Sequence, residues 1–169
     1  MKALAEATPD IRYYPNFSIA GALQTWVFGD RVSLIGDAAH AHGGAYATGG
    51  SIAIDDAYAF HLAISHVYPV SASEKPTVEQ IGKALRLYEA TRKPHVERLL
   101  SAVLEGNKTK AARAGKLTSD EELRRMAIER PDTVWLHEHD VISAFEAALT
   151  KDSQGRDNEQ EKKALSPRL

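Results

Sequence analysis

The stretch RVSLIGDAAHAHGGAYATGGSIAIDDA, Arg31 to Ala57, decides how this chain is read. Arg31 to Ile35 is a short apolar run with branched Val32 and Ile35, suited to a buried strand. Gly36-Asp37 ends that run in a turn and sets a carboxylate at the strand's C-terminal edge. A loop rich in Gly and Ala follows, with Gly43-Gly44 and Gly49-Gly50, and a helix is predicted to open near Ser51. Strand, acidic turn, glycine loop and helix N-terminus together suit an anionic or hydroxyl-rich ligand. Small residues let the backbone come close, and free N–H groups with the helix dipole favour negative charge.

Working outward, Leu23 to Phe28 (LQTWVF) reads as a second strand, and Gly29-Asp30 between the two runs signals a hairpin. Strands are thus expected within 23–35. Two strands do not make a stable sheet alone, so their cover must come from elsewhere. On the other side, Ile52, Ile54, Ala57, Phe60 and Ile64 predict a mainly buried helix over 51–66, with Asp55 and Asp56 in its first turns, where the dipole favours acids. Thr77 caps a long helix over 77–114, which Pro94 should kink or split near Lys93 and Gly115 should stop. Ser119 opens a further helix, and Val141, Phe145 and Leu149 share one face of another. From Lys151 the chain is polar and is expected to lack fixed structure.

Composition narrows the class. The chain has 169 residues, enough for one domain with a core, and a net charge of −2, which does not suggest a nucleic-acid surface. It has no cysteine, so disulfides, thiolate metal sites and cysteine nucleophiles are excluded. No apolar run approaches signal-peptide or membrane-span length, and the expectation is an intracellular, cytoplasmic protein with no membrane partner.

Several residues carry alternatives. Asp37 either accepts a hydrogen bond from a ligand hydroxyl or satisfies its own turn. Asp37, His40 and His42 form a D-x-x-H-x-H pattern, but a metal site needs a third and fourth ligand that the sequence does not supply. Asp55 and Asp56 are adjacent on a helix and point about 100° apart, which makes a shared catalytic site awkward. Arg92 either pairs with an acid or joins a solvated basic face.

The run Gly36-Asp37-Ala38-Ala39-His40, followed by Gly49, Ala53 and Asp55-Asp56-Ala57, resembles the second flavin-binding motif of FAD-dependent aromatic-ring monooxygenases. These are the salicylate and p-hydroxybenzoate hydroxylase-type flavoproteins. Tyr88-Glu89-x-x-Arg92-Lys93-Pro94 resembles that family's Y-E-x-x-R-x-P, and Trp135 to Val141 its C-terminal tryptophan and acidic signature, read here as packing. The loop departs from the common form, with Gly44 in place of proline and Ala47-Thr48-Gly49-Gly50-Ser51 in place of Gly-Gln-Gly-x-Asn. This variant is similar to the salicylate-hydroxylase-like branch.

The resemblance implies an α/β FAD/NAD(P)-binding fold, of which this chain is mostly α with a short β-hairpin leading into the flavin loop. It implies a C-terminal part of the FAD-binding domain over 1–115, a C-terminal helical segment over 116–150 and a tail over 151–169. FAD is the implied cofactor, with NAD(P)H as reductant and a small aromatic substrate. Gly36, Asp37, Gly44, Ala47, Thr48, Gly49, Gly50 and Ser51 are the implied flavin contacts, with Asp37 on the ribityl chain and Asp56 in a structural role. No residue here is an obvious acid, base or nucleophile for hydroxylation. The sequence has no G-x-G-x-x-G for the ADP half of FAD and no Asp-Gly motif of the nicotinamide step, so a fragment of a longer enzyme, inactive alone, is expected. The alternatives are a non-enzymatic helical interaction module derived from such an enzyme, and, more remotely, a metal-dependent enzyme using His40 and His42.

Overall fold

Gly29 and Asp30 reverse the chain with φ angles of 57° and 55°, a left-handed path that glycine takes freely and Asp better than most residues. The turn joins β1 (Val27–Phe28) to β2 (Val32–Ser33), antiparallel, with Val27 opposite Ser33 and Phe28 opposite Val32. The Leu34 N–H donates to the Trp26 carbonyl at 2.9 Å and extends the pairing. The expected hairpin therefore forms, but it is far shorter than 23–35. The Trp26 N–H leaves the ladder for Glu89 Oε1 at 2.7 Å. The second strand is not buried either: Val32 and Ile35 are exposed, because no third strand covers that face among the described residues.

This computed structural model describes residues 3, 6–8, 10, 12, 14–113, 119–128 and 132–165, with backbone alone for 156–165. After the hairpin come a single turn, α1 (Asp37–His40), a 3₁₀ turn (Ala45–Ala47) and α2 (Gly49–Val67). The last begins two residues before the expected start. Its buried stripe is Ile52, Asp56, Ala59 and Ala63, at intervals of four, three and four that keep one helix face. Ile54 and Ala57, read as core, point outward instead, and Ile54 is 71% exposed. Asp55 and Asp56 lie beyond the first turn, so the helix dipole does not account for them.

α3 (Val78–Arg113) opens with a reciprocal cap. The Gln80 N–H donates to Thr77 Oγ1 at 3.2 Å and the Thr77 N–H to Gln80 Oε1 at 2.9 Å. Pro94 lies inside it and does not split it; Gly115, the expected stop, falls outside the described residues. α4 (Asp120–Ile128) repeats the cap with Ser119 and Glu122. α5 (Val134–His137) is one turn, and α6 (Val141–Leu165) starts on Asp140, whose Oδ1 accepts the Ile142 N–H at 2.9 Å. The helix runs through 151–165, where an unstructured tail was expected. That stretch is polar, but Gln, Glu, Lys, Ala and Leu are good helix formers and no proline lies within 151–165.

α2, α3 and α6 pack on one another. Trp26 brings the hairpin into their core beside Ile52, Tyr88, Val96 and Leu99, while Val141, Phe145 and Ala148 bring in α6. The chain is mostly helical, with the hairpin held against α3.

Gly82 is what allows that close approach. A Cβ there would lie 2.6 Å from the Asp30 side chain, which is itself tied to Arg86. Gly82→Ala should lower stability by about 1–3 kcal/mol, the usual cost of overpacking, read as a shift of the urea midpoint. Adding Asp30→Gly, which removes the obstructing carboxymethyl group and suits the positive φ, should restore most of the loss.

Candidate functional site

A buried carboxylate on α2 organises this region. Asp56, His40 and Arg92 are each 0% exposed. An isolated carboxylate in such a place is costly, and here three donors converge on it. Asp56 Oδ2 accepts the Gly36 N–H at 3.0 Å and His40 Nε2–H at 2.7 Å, while Oδ1 accepts Arg92 Nε–H at 2.8 Å. Arg92 Nη2 also donates to the Ile52 carbonyl at 3.4 Å and lies 3.6 Å from Asp55. One guanidinium thus reaches both acids, although they leave the helix in different directions. Burial alone would raise the Asp56 carboxyl; the hydrogen bonds and charges of His40 and Arg92 outweigh it and hold it below the usual carboxylate range.

In the Y-E-x-x-R-K segment of α3, Tyr88, Glu89 and Lys93 hold the hairpin and the residues leading into it, and Arg92 holds α2. The Tyr88 hydroxyl donates to the Leu34 carbonyl at 3.3 Å. Glu89 accepts the Trp26 N–H and, at 3.2 Å, the Thr25 hydroxyl. Arg92 holds Asp56, and Lys93 donates to the Gln24 carbonyl. The basic-face alternative for Arg92 is thereby excluded. The turn after β2 is fixed against α2: Gly36, at φ 59°, is held by Asp56 and faces Ala53 of the same helix.

The loop is shaped from inside by His42. Its Nδ1–H donates to the His40 carbonyl at 3.0 Å, and the Thr48 hydroxyl lies 3.4 Å from its Nε2. Ser18 bridges to His42, and the Ile19 N–H donates to the Ala41 carbonyl at 2.8 Å. Gly44, Tyr46 and Ala47 all take positive φ values. With its side chain turned inward, Thr48 does not cap α2, so the first-turn N–H groups of Gly49, Gly50 and Ser51 have no acceptor among the described residues and are free for an outside one. A Cβ on Gly44 or Gly50 would meet nothing within 4 Å, so the loop's outer surface is open among the described residues. The Asp37 carboxylate is exposed and has no partner among the described residues.

The expected positions therefore divide. Gly36, Asp37, Gly44, Ala47, Gly49, Gly50 and Ser51 frame the turn, the loop and the first turn of α2, while the Thr48 side chain is inside. The histidines do not meet a metal-binding pattern: His40 Nε2 is committed to Asp56 and His42 Nδ1 to backbone, and no group of three His, Cys, Asp or Glu suited to a metal occurs among the described residues. His40 as a partner of Asp56 is not legible from the sequence, since they lie sixteen positions apart, with the whole loop and the first turns of α2 between them.

The family model described as FAD binding domain matches residues 3–103. The chain belongs to this FAD-binding domain family. FAD is the cofactor that the domain binds, and its members are flavin-dependent oxidoreductases. The matched residues include the hairpin, the loop, α2 and the Y-E-x-x-R-K segment; Trp135 to Val141 lies beyond them. Searches of curated proteins and of solved structures gave no match. No helix among the described residues is long and apolar enough to cross a membrane. The open first turn of α2, the free N–H groups and the unpartnered Asp37 fit the FAD-binding role.

Asp56→Ala leaves a buried guanidinium without its main partner and should cost about 3–5 kcal/mol, whereas Asp55→Ala, at a half-exposed contact, should cost under about 1 kcal/mol. Because the folded carboxyl of Asp56 titrates below its ordinary 3.8, its contribution is fully present above that value and is lost as pH falls through the depressed folded one. Chemical denaturation of wild type and Asp56→Ala, compared at pH 7 and pH 3, should show the difference shrinking in acid.

Proposed function

We propose that this chain forms the flavin-facing part of an NAD(P)H-dependent flavoprotein monooxygenase that hydroxylates a phenolic ring, with salicylate as the model substrate. The observation that carries the reading is the uncapped N-terminus of α2 behind an open glycine loop. The N–H groups of Gly49, Gly50 and Ser51 would meet the flavin edge where negative charge gathers on reduction, aided by the helix dipole. Asp37 would accept a ribityl hydroxyl. Gly44, Ala47 and Thr48 would offer main chain, Thr48 having turned its hydroxyl away, while Gly36, its N–H held by Asp56, would let the turn come close. A contact made by backbone tolerates the departure from the family's Gln and Asn at this loop.

When bound, the flavin supplies the redox and oxygen chemistry, while the protein binds, orients and keeps water out. The residues here do the first two. Asp56, His40 and Arg92 do not touch the cofactor in this reading; they hold the Gly36 turn against α2. The sequence carries no G-x-G-x-x-G, so the proposal covers the flavin and ribityl half of FAD, and the chain alone is not proposed to turn over substrate. The phenolic substrate and the nicotinamide reductant rest on the family resemblance.

The test is a flavin-fluorescence titration with the folded, size-fractionated chain. Saturable quenching is expected, and Asp37→Ala should raise Kd about tenfold or more, the loss of one hydrogen bond to a charged group. A folded chain that shows no saturable binding, or an Asp37→Ala variant with unchanged Kd, would contradict the assignment.

A further inference from the structure

His95 of α3 and His139, in the link between α5 and α6, lie ring on ring, with centroids 3.9 Å apart and planes 18° from parallel. Trp135 of α5 meets His95 edge-on at 5.6 Å, and the Arg98 guanidinium sits 4.0 Å from the centre of the Trp135 ring. Nε2 of both histidines is buried without a hydrogen-bond partner among the described residues. The flavin reading uses none of these groups. They form the seam where α5 and the first turn of α6 meet α3.

We propose that the His95–His139 stack is an acid-released latch, which docks α5 and the start of α6 on α3 while both rings are neutral and lets them go when the rings take up protons. Two imidazolium rings face to face at this separation repel, and a proton added at either Nε2 would find no acceptor there. The surrounding charges are mixed. From α3, Arg92 and Arg98 oppose protonation of His95, and Arg92 that of His139. From α2, Asp56 favours it at His95 and Asp55 at His139; from the link, Asp140 favours it at His139. The acids are already engaged: Asp56 by Arg92 and His40, Asp55 by Arg92, and Asp140 by the Ile142 and Ser143 N–H groups.

Burial, then the neighbouring ring and the arginines, push His95 down from 6.5 to about 4, and burial with Arg92 lowers His139 in the same direction. Once released, each ring returns to its ordinary value near 6.5. The released state then binds more protons than the docked one, so docking is unaffected above pH 6.5 and weakens as pH falls toward 4. Within that window His95 lowers the docking constant by up to about tenfold per pH unit, and protonation of His139 adds to the loss.

The test combines two measurements on the full chain. Side-chain NMR titration should show one or both of His95 and His139 titrating well below 6.5. Amide hydrogen exchange, corrected for intrinsic rate and compared at pH 7 and pH 5, should show Thr133 to Ser143 losing protection more than Ile52 to Ala63 in α2. In His95→Phe and in His139→Phe, where a ring still stacks but does not titrate at that position, the excess loss should shrink. Ordinary titration near 6.5 for both histidines would overturn the latch, even if the variants fail to fold. So would equal loss of protection in all helices, or an excess that persists unchanged in both variants.

Discussion

A carboxylate shut away from water must be met by donors, and Asp56 is met by three from different parts of the chain: the Gly36 turn, the His40 ring and the Arg92 guanidinium. Strand end, loop and two long helices therefore share one set of charge-assisted bonds. Hydrophobic packing of α2 on α3 would tolerate some sliding. The bonds at Asp56 do not, because each has a short distance to keep. That fixes Gly36 relative to the first turns of α2, the geometry on which the proposed flavin contacts depend.

The division of labour along α3 follows from the same constraint. Tyr88, Glu89, Arg92 and Lys93 reach the Leu34 carbonyl, the Trp26 N–H, Asp56 and the Gln24 carbonyl in turn. Only two residues of each strand pair in the hairpin, too few to hold it alone; the helix supplies the partners that a third strand would otherwise provide. Meanwhile His42 and Thr48 satisfy each other and the loop backbone from within. The outer surface of the loop and the first turn of α2 are left open, with Asp37 beside them.

Much of this was legible from local signals. Thr77 and Ser119 announced helix starts because a cap acts only on residues two or three further on, and Gly29-Asp30 announced the hairpin because its backbone demands unusual φ. The GD-x-x-H run and Tyr88 to Pro94 carried the family. What stayed hidden depended on distant partners. Periodicity placed Ile54 in the core because it counts apolar residues, whereas the buried face was chosen by Asp56 and the small Ala59 and Ala63 that let α3 approach. Asp56 itself read as a helix-start acid until Arg92 and His40 were beside it. The stacking of His95 on His139 joins residues with no shared motif, and helix through 151–165 came from propensity in a stretch that polarity alone assigned to a tail.

The measurement that bears most directly on the account is amide chemical-shift mapping of the folded chain during FAD addition. The account predicts saturable shifts at the Gly36, Gly49, Gly50 and Ser51 N–H groups, with small changes elsewhere. Shifts centred instead on the groove of about 720 Å³ between α3 and α6, lined by Lys83, Arg86 and Lys151, would contradict it, as would a folded chain whose loop amides do not respond.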